Sequence, residues 1–536
     1  MRRWNGWGDE QIESRLPAGA QNMLESLVGC PAPQQSVHRQ EVTVRVPGSR
    51  VDAAGATVST DPGDRLDHAH GQSFPDWVAV RCGTISRFPD AVAWPESESR
   101  LEEVLAFADR NRMIVVPYGG GTSVVGHLDV PESDAPVLSL SLQRLNQFLE
   151  FEPENRLATF GAGVSGPDLE AALRSKGYTL GHYPQSFEYS TLGGWVVTRS
   201  SGQQSRYFGR IEELFAGGAA ITPRGSLEFP PYPASAAGPD LRQIFLGSEG
   251  RLGILSRATV RVRELPETDN IYGVFFPTWE AGVSAVRELA AADLPLSMIR
   301  LSNPRETMTN LVLAGHETEI AWLKKYLRFR GCYDDASCML LLGMIGPRKM
   351  VAAGRKGARK IIRRYRGVPV GRPMGRAWQK NRFLAPYLRN TLWDRGYAVD
   401  TLETAVTWDR VNEAMQDIER VISGALEDKG EKVHVFTHLS HVYTSGSSIY
   451  TTYLFRIADS PEETMARWQT IKAAASRAII ANGGTISHQH GVGVDHKPYL
   501  SAEKGALGMD MLRNICTHMD PDQRMNPGKL VDTGGS

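Results

Sequence analysis

Three consecutive glycines, Gly119–Gly121, follow the apolar run "VVPY" and precede two hydroxyls, Thr122 and Ser123. Glycine costs a strand or helix about 0.5–1 kcal/mol against alanine, so a cluster of bare backbone calls for a reason. A tight turn between strands is one. The other is a large anion, such as a pyrophosphate, lying against exposed main-chain N–H groups. Two further glycine-rich segments follow, "STLGGWVVTRSSG" at 190–202 and "GSEGRLGIL" at 247–255. One long cofactor threaded between two small α+β units would use all three. The match Gly161-x-Gly163-x-x-Gly166 opens a helix after a strand, but the acidic residue that a dinucleotide fold places about 20 residues on is missing. The chain reads "LGHYPQ" there, around His182. These glycines fit an ordinary strand–helix turn, and no GxxxxGK[ST] occurs.

Imidazoles are the next reactive groups. In "NGGTISHQHGVG", His488 and His490 share a face if the segment is extended. Zinc held by His488, His490 and His496 would lack a carboxylate or thiolate partner at a known spacing, so no metal is expected. Residues 348–366, "RKMVAAGRKGARKIIRRYR", hold nine basic residues and no acid. In a helix, Arg355/Lys356, Arg359/Lys360 and Arg363/Arg364 form one stripe, with Ile361, Ile362 and Tyr365 on other faces. Such a stripe is either a solvated face or a contact for an anionic membrane surface.

The elements that must position these groups require more than one core, because the chain has 536 residues. Hydrophobic content of 41% and charged content of 22% fit a globular protein. With 60 basic and 60 acidic residues there is no global attraction to nucleic acid. Five scattered cysteines without CxxC spacing read as free thiols in a reducing compartment. "MRRWNGWGDE" is not a secretory signal and no run of about 18 apolar residues occurs, so a cytoplasmic protein is expected. Residues 1–85 are mixed: an amphipathic "QNMLESLVG", then a Pro-, Gly- and Asp-rich stretch that reads as loop or extension. From 86 to 265 strands and helices alternate with the glycine clusters. Residues 266–481 read as a separate α+β domain, and 482–536 carry the His-rich segment and a helical tail.

The segments "PYGGGTSVVG", "GHYPQSFEYSTLGGWVVTRSSG" and "GSEGRLGIL" resemble the FAD-binding domain of the vanillyl-alcohol-oxidase type, a likeness that runs from about residue 86 to the C-terminus. It implies an α+β fold, in which a two-subdomain FAD-binding domain is joined to an α+β cap or substrate domain. It also implies that Pro117, Tyr118, Gly119, Gly120, Gly121, Thr122 and Ser123 hold the FAD pyrophosphate. Gln185, Ser186, Ser190, Thr191, Gly194, Thr198, Arg199, Ser200, Ser201, Glu249, Gly250, Leu252, Gly253, Ile254 and Leu255 would line the rest. Members that bond flavin covalently through this loop place a histidine beside the glycines. Thr122 and Ser123 stand here instead, which implies noncovalent FAD.

A narrower likeness rests on "WNGWG" at 4–8, "STLGGWVVTR", "LSMIRLSN", "TLETAVTWDRV", "SSIYTTYLF" and "NGGTISHQHGVG". In order and approximate spacing these resemble the alkyldihydroxyacetonephosphate synthase family. The resemblance implies a redox-neutral exchange of the acyl chain of acyl-dihydroxyacetone phosphate for a fatty alcohol, and a homodimer. That chemistry needs a proton shuttle, cations for a phosphate and an apolar tunnel. By the same likeness Tyr450 is the acid/base group, Arg389 and Arg300 bind substrate, and His182, His488 and His490 are site histidines. A tyrosine of ordinary pKa, about 10, needs cations or imidazoles close by to shuttle protons near neutrality. Gln489 departs from the family, which has three histidines in a row at this place. The competing reading is an FAD-linked oxidase or dehydrogenase of a 2-hydroxy acid. Those relatives bind a metal through His-x-Gly-Asp-Gly-Asn, and "THLSHVYTSGSSIY" keeps His438 and His441 without the Gly-Asp-Gly-Asn.

Overall fold

The computed structural model describes residues 1–52 and 57–533; residues 53–56, within the Pro-, Gly- and Asp-rich stretch, and 534–536 lie outside the described residues. In the first of two small units, β1 (Ala91–Ala93), β2 (Ile114–Tyr118) and β3 (Val137–Ser141) form a parallel sheet in the order β1-β3-β2. Helix Glu98–Arg110 connects β1 to β2. Ser97 caps it by accepting from the Arg100 N–H, and its apolar stripe of Leu101, Val104 and Ala108 joins this unit's core. β2 delivers the chain directly to Gly119.

The second unit is a five-stranded antiparallel sheet of β4 (Phe148–Glu152), β5 (Leu157–Gly161), β7 (Phe215–Thr222), β8 (Gly225–Phe229) and β9 (Ile254–Arg261), in the order β4-β5-β9-β7-β8. A short ribbon pairs β6 (Tyr178–Thr179) with β10 (Arg263–Glu264). β5 runs into helix Gly166–Arg174, capped by Ser165. The GxGxxG glycines are there for the protein's own packing. A Cβ on Gly161, Gly163 or Gly166 would lie 2.3, 1.7 or 2.5 Å from the carbonyl oxygens of Leu145, Leu142 and Phe187.

The cap is a seven-stranded sheet of β11 (Thr268–Phe276), β12 (Leu296–Ser302), β13 (Cys338–Gly346), β14 (Val368–Gly371), β15 (Tyr397–Thr407), β16 (His434–Val442) and β17 (Gly446–Arg456), in the order β14-β11-β13-β12-β16-β17-β15. "CMLLLGMIG" is apolar throughout because β13 is central and buried along its whole length. Helix Arg348–Arg364 buries Val351, Ala358, Ile361 and Ile362 on this sheet and leaves its basic stripe exposed.

The N-terminal region is more ordered than the sequence suggests. Helices form at Ala18–Val28, Pro62–Asp67 and Phe74–Cys82. Asp61 caps the second, and Ser73 with Asp76 forms a capping box on the third. Phe74 and Trp77 enter the main core with Trp393, Phe455 and Trp468. Proline and glycine made the stretch read as loop, although Asp61-Pro62 is also a helix start.

Candidate active site

The three glycine-rich segments interlock. A Cβ on Gly119 would lie 2.6 Å from Thr191 Oγ1, one on Gly120 would lie 1.8 Å from the Tyr189 carbonyl oxygen, and one on Gly250 would lie 2.4 Å from Pro117 Cγ. Together they wall a cavity of about 540 Å³ between the two halves of the molecule. Of the residues the flavoprotein likeness assigns to the cofactor, all but Arg199 and Leu252 line it. Arg199 instead reaches Gln243 near the surface, and Leu252 is buried in the main core. Asn526 reaches the wall because Met525 pairs with Val115, which nothing in the sequence announces.

A flavin dinucleotide fits this wall. Among the described residues, none accepts from the main-chain N–H groups of Gly119 to Ser123, and Gly121 sits at φ +66°. Consecutive unpaired N–H groups beside a cavity are what a diphosphate needs.

Tyr450 lines the cavity. It stands opposite Glu403 on β15 and opposite His438 on β16. Its ring stacks on His438 at 4.9 Å and meets His490 edge-on at 5.9 Å. The hydroxyl donates to Thr401 Oγ1 at 3.1 Å. Burial pushes the phenol up to about 12, so Tyr450 is a protonated donor at neutral pH. His438 is buried and His490 half-buried, and loss of solvent lowers both below the usual histidine range. They are neutral.

The cations flank this group. Arg300 Nη2–H donates to Glu306 Oε1 at 2.8 Å, and the same oxygen lies 3.0 Å from His438 Nδ1. Burial opposes ionisation of Glu306, but His438 and Arg300 outweigh it and bring the carboxyl down to about 2. Arg389, on helix Ala385–Asp394, is half-buried, stacks over Trp77 at 4.2 Å and donates from Nη1–H to the Gln72 carbonyl at 2.8 Å. Burial pulls its guanidinium down to about 10, still cationic at neutral pH, and Nη2 is buried with no acceptor among the described residues.

The HQH segment differs from the extended reading. It coils about Glu403, whose carboxylate accepts from the N–H groups of His488, Gln489 and His490 at 2.6, 3.1 and 3.0 Å. His490 and Gln489 consequently line the cavity, while His488 turns to Arg210 Nη1 at 2.7 Å and Tyr443 Oη at 2.6 Å. His488 and His490 thus do not share a face. His182 also stands behind the wall, 2.7 Å from Ser200 Oγ through Nε2, with its imidazole brought down to about 3 by burial. Among the described residues no group of three or more His, Cys, Asp or Glu is placed to hold a metal.

His441 was visible in the sequence but its role was not. It is the extra residue of a bulge between β16 and β17, held at φ +45°, and this places its ring in the cavity wall. Nδ1 lies 3.1 Å from both Ser201 Oγ and Ser205 Oγ, and burial lowers the imidazole to about 3. Glu306 and Glu403 carried no signal at all, since each is recognisable only by what the fold brings to it. The cavity therefore presents a phenolic proton donor, neutral imidazole acceptors and two guanidiniums for an anion.

Comparison with known proteins agrees with this geometry. Residues 89–228 match the FAD binding domain family, and residues 265–530 match the C-terminal domain of FAD linked oxidases. The protein is a flavoprotein of the FAD-linked oxidase fold, and its cofactor is FAD. Alkyldihydroxyacetonephosphate synthase of Dictyostelium discoideum is 32% identical over 475 residues, covering 88% of this chain and 77% of the relative. The Caenorhabditis elegans synthase is 32% identical over 483 residues, covering 88% and 81%. A solved alkyldihydroxyacetonephosphate synthase superposes with TM-score 0.83 at 26% identity over 98% of each chain. The chain belongs to the alkyldihydroxyacetonephosphate synthase family.

Proposed function

We propose that the protein is an FAD-dependent, redox-neutral transferase that replaces the acyl chain of acyl-dihydroxyacetone phosphate with a fatty alcohol, forming an ether-lipid precursor. One observation carries this reading. The cavity that contacts Gly119–Ser123 and Tyr450 continues into an apolar limb walled by Leu16, Ala20, Leu24, Leu313, Leu388 and Leu392. A small 2-hydroxy acid has no use for such a limb; an alkyl chain does. The similarity to synthases along most of the chain supports it.

In the overall exchange the ester C–O bond breaks and the acyl group leaves as a carboxylate with the electron pair. The alcohol O–H breaks, the ether C–O bond forms and one proton is released. FAD, when bound, supplies an electrophilic ring that takes up and returns electron density at the carbon beside the ketone. It is held noncovalently by the glycine-rich segments. Arg389 and Arg300 hold the phosphate and the departing carboxylate as cations. Tyr450 stays protonated and donates a hydrogen bond to the departing carboxylate oxygen, and neutral His490 accepts the proton of the alcohol and releases it. His182 and His488 act from behind the wall, through Ser200 and Arg210.

The test is anaerobic incubation of the purified protein with acyl-dihydroxyacetone phosphate and hexadecanol. The expected result is the ether product with the flavin left oxidised. Bleaching by a D-2-hydroxy acid with no ether product would replace this reading with a dehydrogenase. The exposed face of helix Arg348–Arg364 contacts an anionic membrane from which the substrates are drawn. Co-sedimentation should rise with anionic lipid and fall when Arg355, Lys356, Arg359 and Lys360 are neutralised. The same reading makes the protein a cytoplasmic, membrane-peripheral homodimer, which sedimentation analysis reads directly. No helix among the described residues is long and apolar enough to cross a membrane.

A further inference from the structure

The first nine residues cross from one half of the site to the other. Arg2 pairs with Asp9 in an isolated antiparallel bridge, and the Arg3 N–H donates to the Gly8 carbonyl at 2.7 Å, so this segment closes into a loop. At one end Arg2 Nη2–H donates to the Gly120 carbonyl at 2.7 Å, with the guanidinium 5.4 Å from the centre of the Tyr189 ring. That carbonyl shares a peptide plane with the Gly121 N–H, and in a trans peptide the two point in opposite directions. A cation on the oxygen therefore aims the N–H the other way and polarises it.

At the other end, the Trp7 N–H donates to Asn390 Oδ1 at 3.0 Å, and Asn390 Nδ2–H donates back to the Trp7 carbonyl at 2.9 Å. The glycines beside Trp7 make this two-bond clasp possible. A Cβ on Gly6 would lie 2.3 Å from Asn390 Oδ1, and one on Gly8, at φ +81°, would lie 2.2 Å from the Tyr387 ring. Gln72 ties the ends together. Its N–H donates to the Ser123 carbonyl at 2.7 Å and its Nε2–H to the Gly6 carbonyl at 3.3 Å, while its own carbonyl accepts from Arg389. Trp7 and Arg389 both line the cavity, and Trp7 Nε1, like Arg389 Nη2, is a buried donor without an acceptor among the described residues.

We propose that residues 2–9, with Gln72, are a positioning strap that holds the Gly119–Ser123 loop and Arg389 in fixed relation, so that retention of FAD and the grip on an anionic substrate are coupled. The half of this that concerns substrate rests on the role given to Arg389 above; the half that concerns FAD does not.

The experiment is a double-mutant cycle on Arg2→Ala, an exposed position, and Asn390→Ala. FAD is titrated into each apoprotein and followed by quenching of flavin fluorescence, alongside the melting temperature. Each single change should raise the FAD Kd about five- to tenfold, and the double should raise it by less than the product of the two. Asn390→Ala should also raise KM for acyl-dihydroxyacetone phosphate more than it lowers kcat. Effects on Kd that multiply independently, or a lower melting temperature with Kd unchanged, would overturn the strap. If Asn390→Ala does not fold, Asn390→Asp, which keeps the acceptor for Trp7 and loses the donor, completes the same cycle. Failure of the wild-type protein to turn over acyl-dihydroxyacetone phosphate would sink the proposed reaction and leave the FAD cycle to decide the strap alone.

Discussion

Gly120 rests directly on the main chain of Tyr189, with no space between them for even a methyl group. The contact changes the meaning of the glycine cluster: bare backbone first lets the loop reach its neighbouring segment, and only then leaves its N–H groups free for an anion. Gly120→Ala should therefore separate the loop from residues 189–191 and spoil the cradle. The expected outcome is protein purified with little flavin, read from the ratio of 450 to 280 nm absorbance (on the order of a tenfold loss). Stability should fall by about 2 kcal/mol or more, since a backbone contact cannot yield as a flexible side chain can.

Tyr450→Phe removes one oxygen from a ring that remains packed between His438 and His490. Among the described residues the hydroxyl's one hydrogen-bond partner is Thr401, so the melting temperature and flavin content should stay close to wild type. Turnover should drop about 10²–10⁴-fold, the usual contribution of a positioned proton donor. Because the phenol is held near 12, its ionisation should leave the rate flat up to about pH 10.

The sequence shows some of this site plainly and some not at all, for physical reasons. Glycines at 119–121, 193–194 and 250 were legible because close approach and positive φ have few substitutes. Alternation and helix caps gave away β1, helix Glu98–Arg110 and β2, and the strand–helix–strand start of the cap, while β3 went unread. Which way a histidine turns has no such signature. His488 was expected beside His490, and a single carboxylate, Glu403, gathers three consecutive N–H groups and parts them. His441 reaches the cavity through a bulge, and one unpaired residue in a ladder leaves no trace in polarity or spacing. The helices at 62–67 and 74–82 are too short for periodicity to reveal, and tertiary burial of Phe74 and Trp77 stabilises what propensity alone would not.

Glu306→Gln isolates Arg300. The carboxylate is almost wholly buried and binds both Arg300 and His438, so a neutral amide should free the guanidinium and let the His438 ring turn off Tyr450. KM for the phosphate substrate should rise about tenfold, with a stability loss of about 2 kcal/mol. The pH profile supplies a second check. A carboxyl held near 2 contributes stability fully above its unfolded value of about 4.5, and that contribution fades as pH falls toward 2. The variant should lose this acid-dependent part of its melting curve.

Histidines add to the acid response at higher pH. Burial brings both His182 and His441 to about 3, whereas in the unfolded chain each titrates near 6.5. Below about pH 6.5 the unfolded state binds protons that the folded state refuses, so stability falls with pH, and the loss is complete only once pH passes below the folded value. Each such imidazole costs about 1.4 kcal/mol per pH unit in that window. His441→Asn, which keeps a hydrogen-bonding group for Ser201 and Ser205, should be less stable than wild type at pH 7.5 and lose less on going to pH 5. Thermal melts at closely spaced pH values between 7.5 and 4.5 would show the two curves converging; parallel curves would mean that His441 takes up its proton equally in the folded and unfolded chain, and would sink the idea.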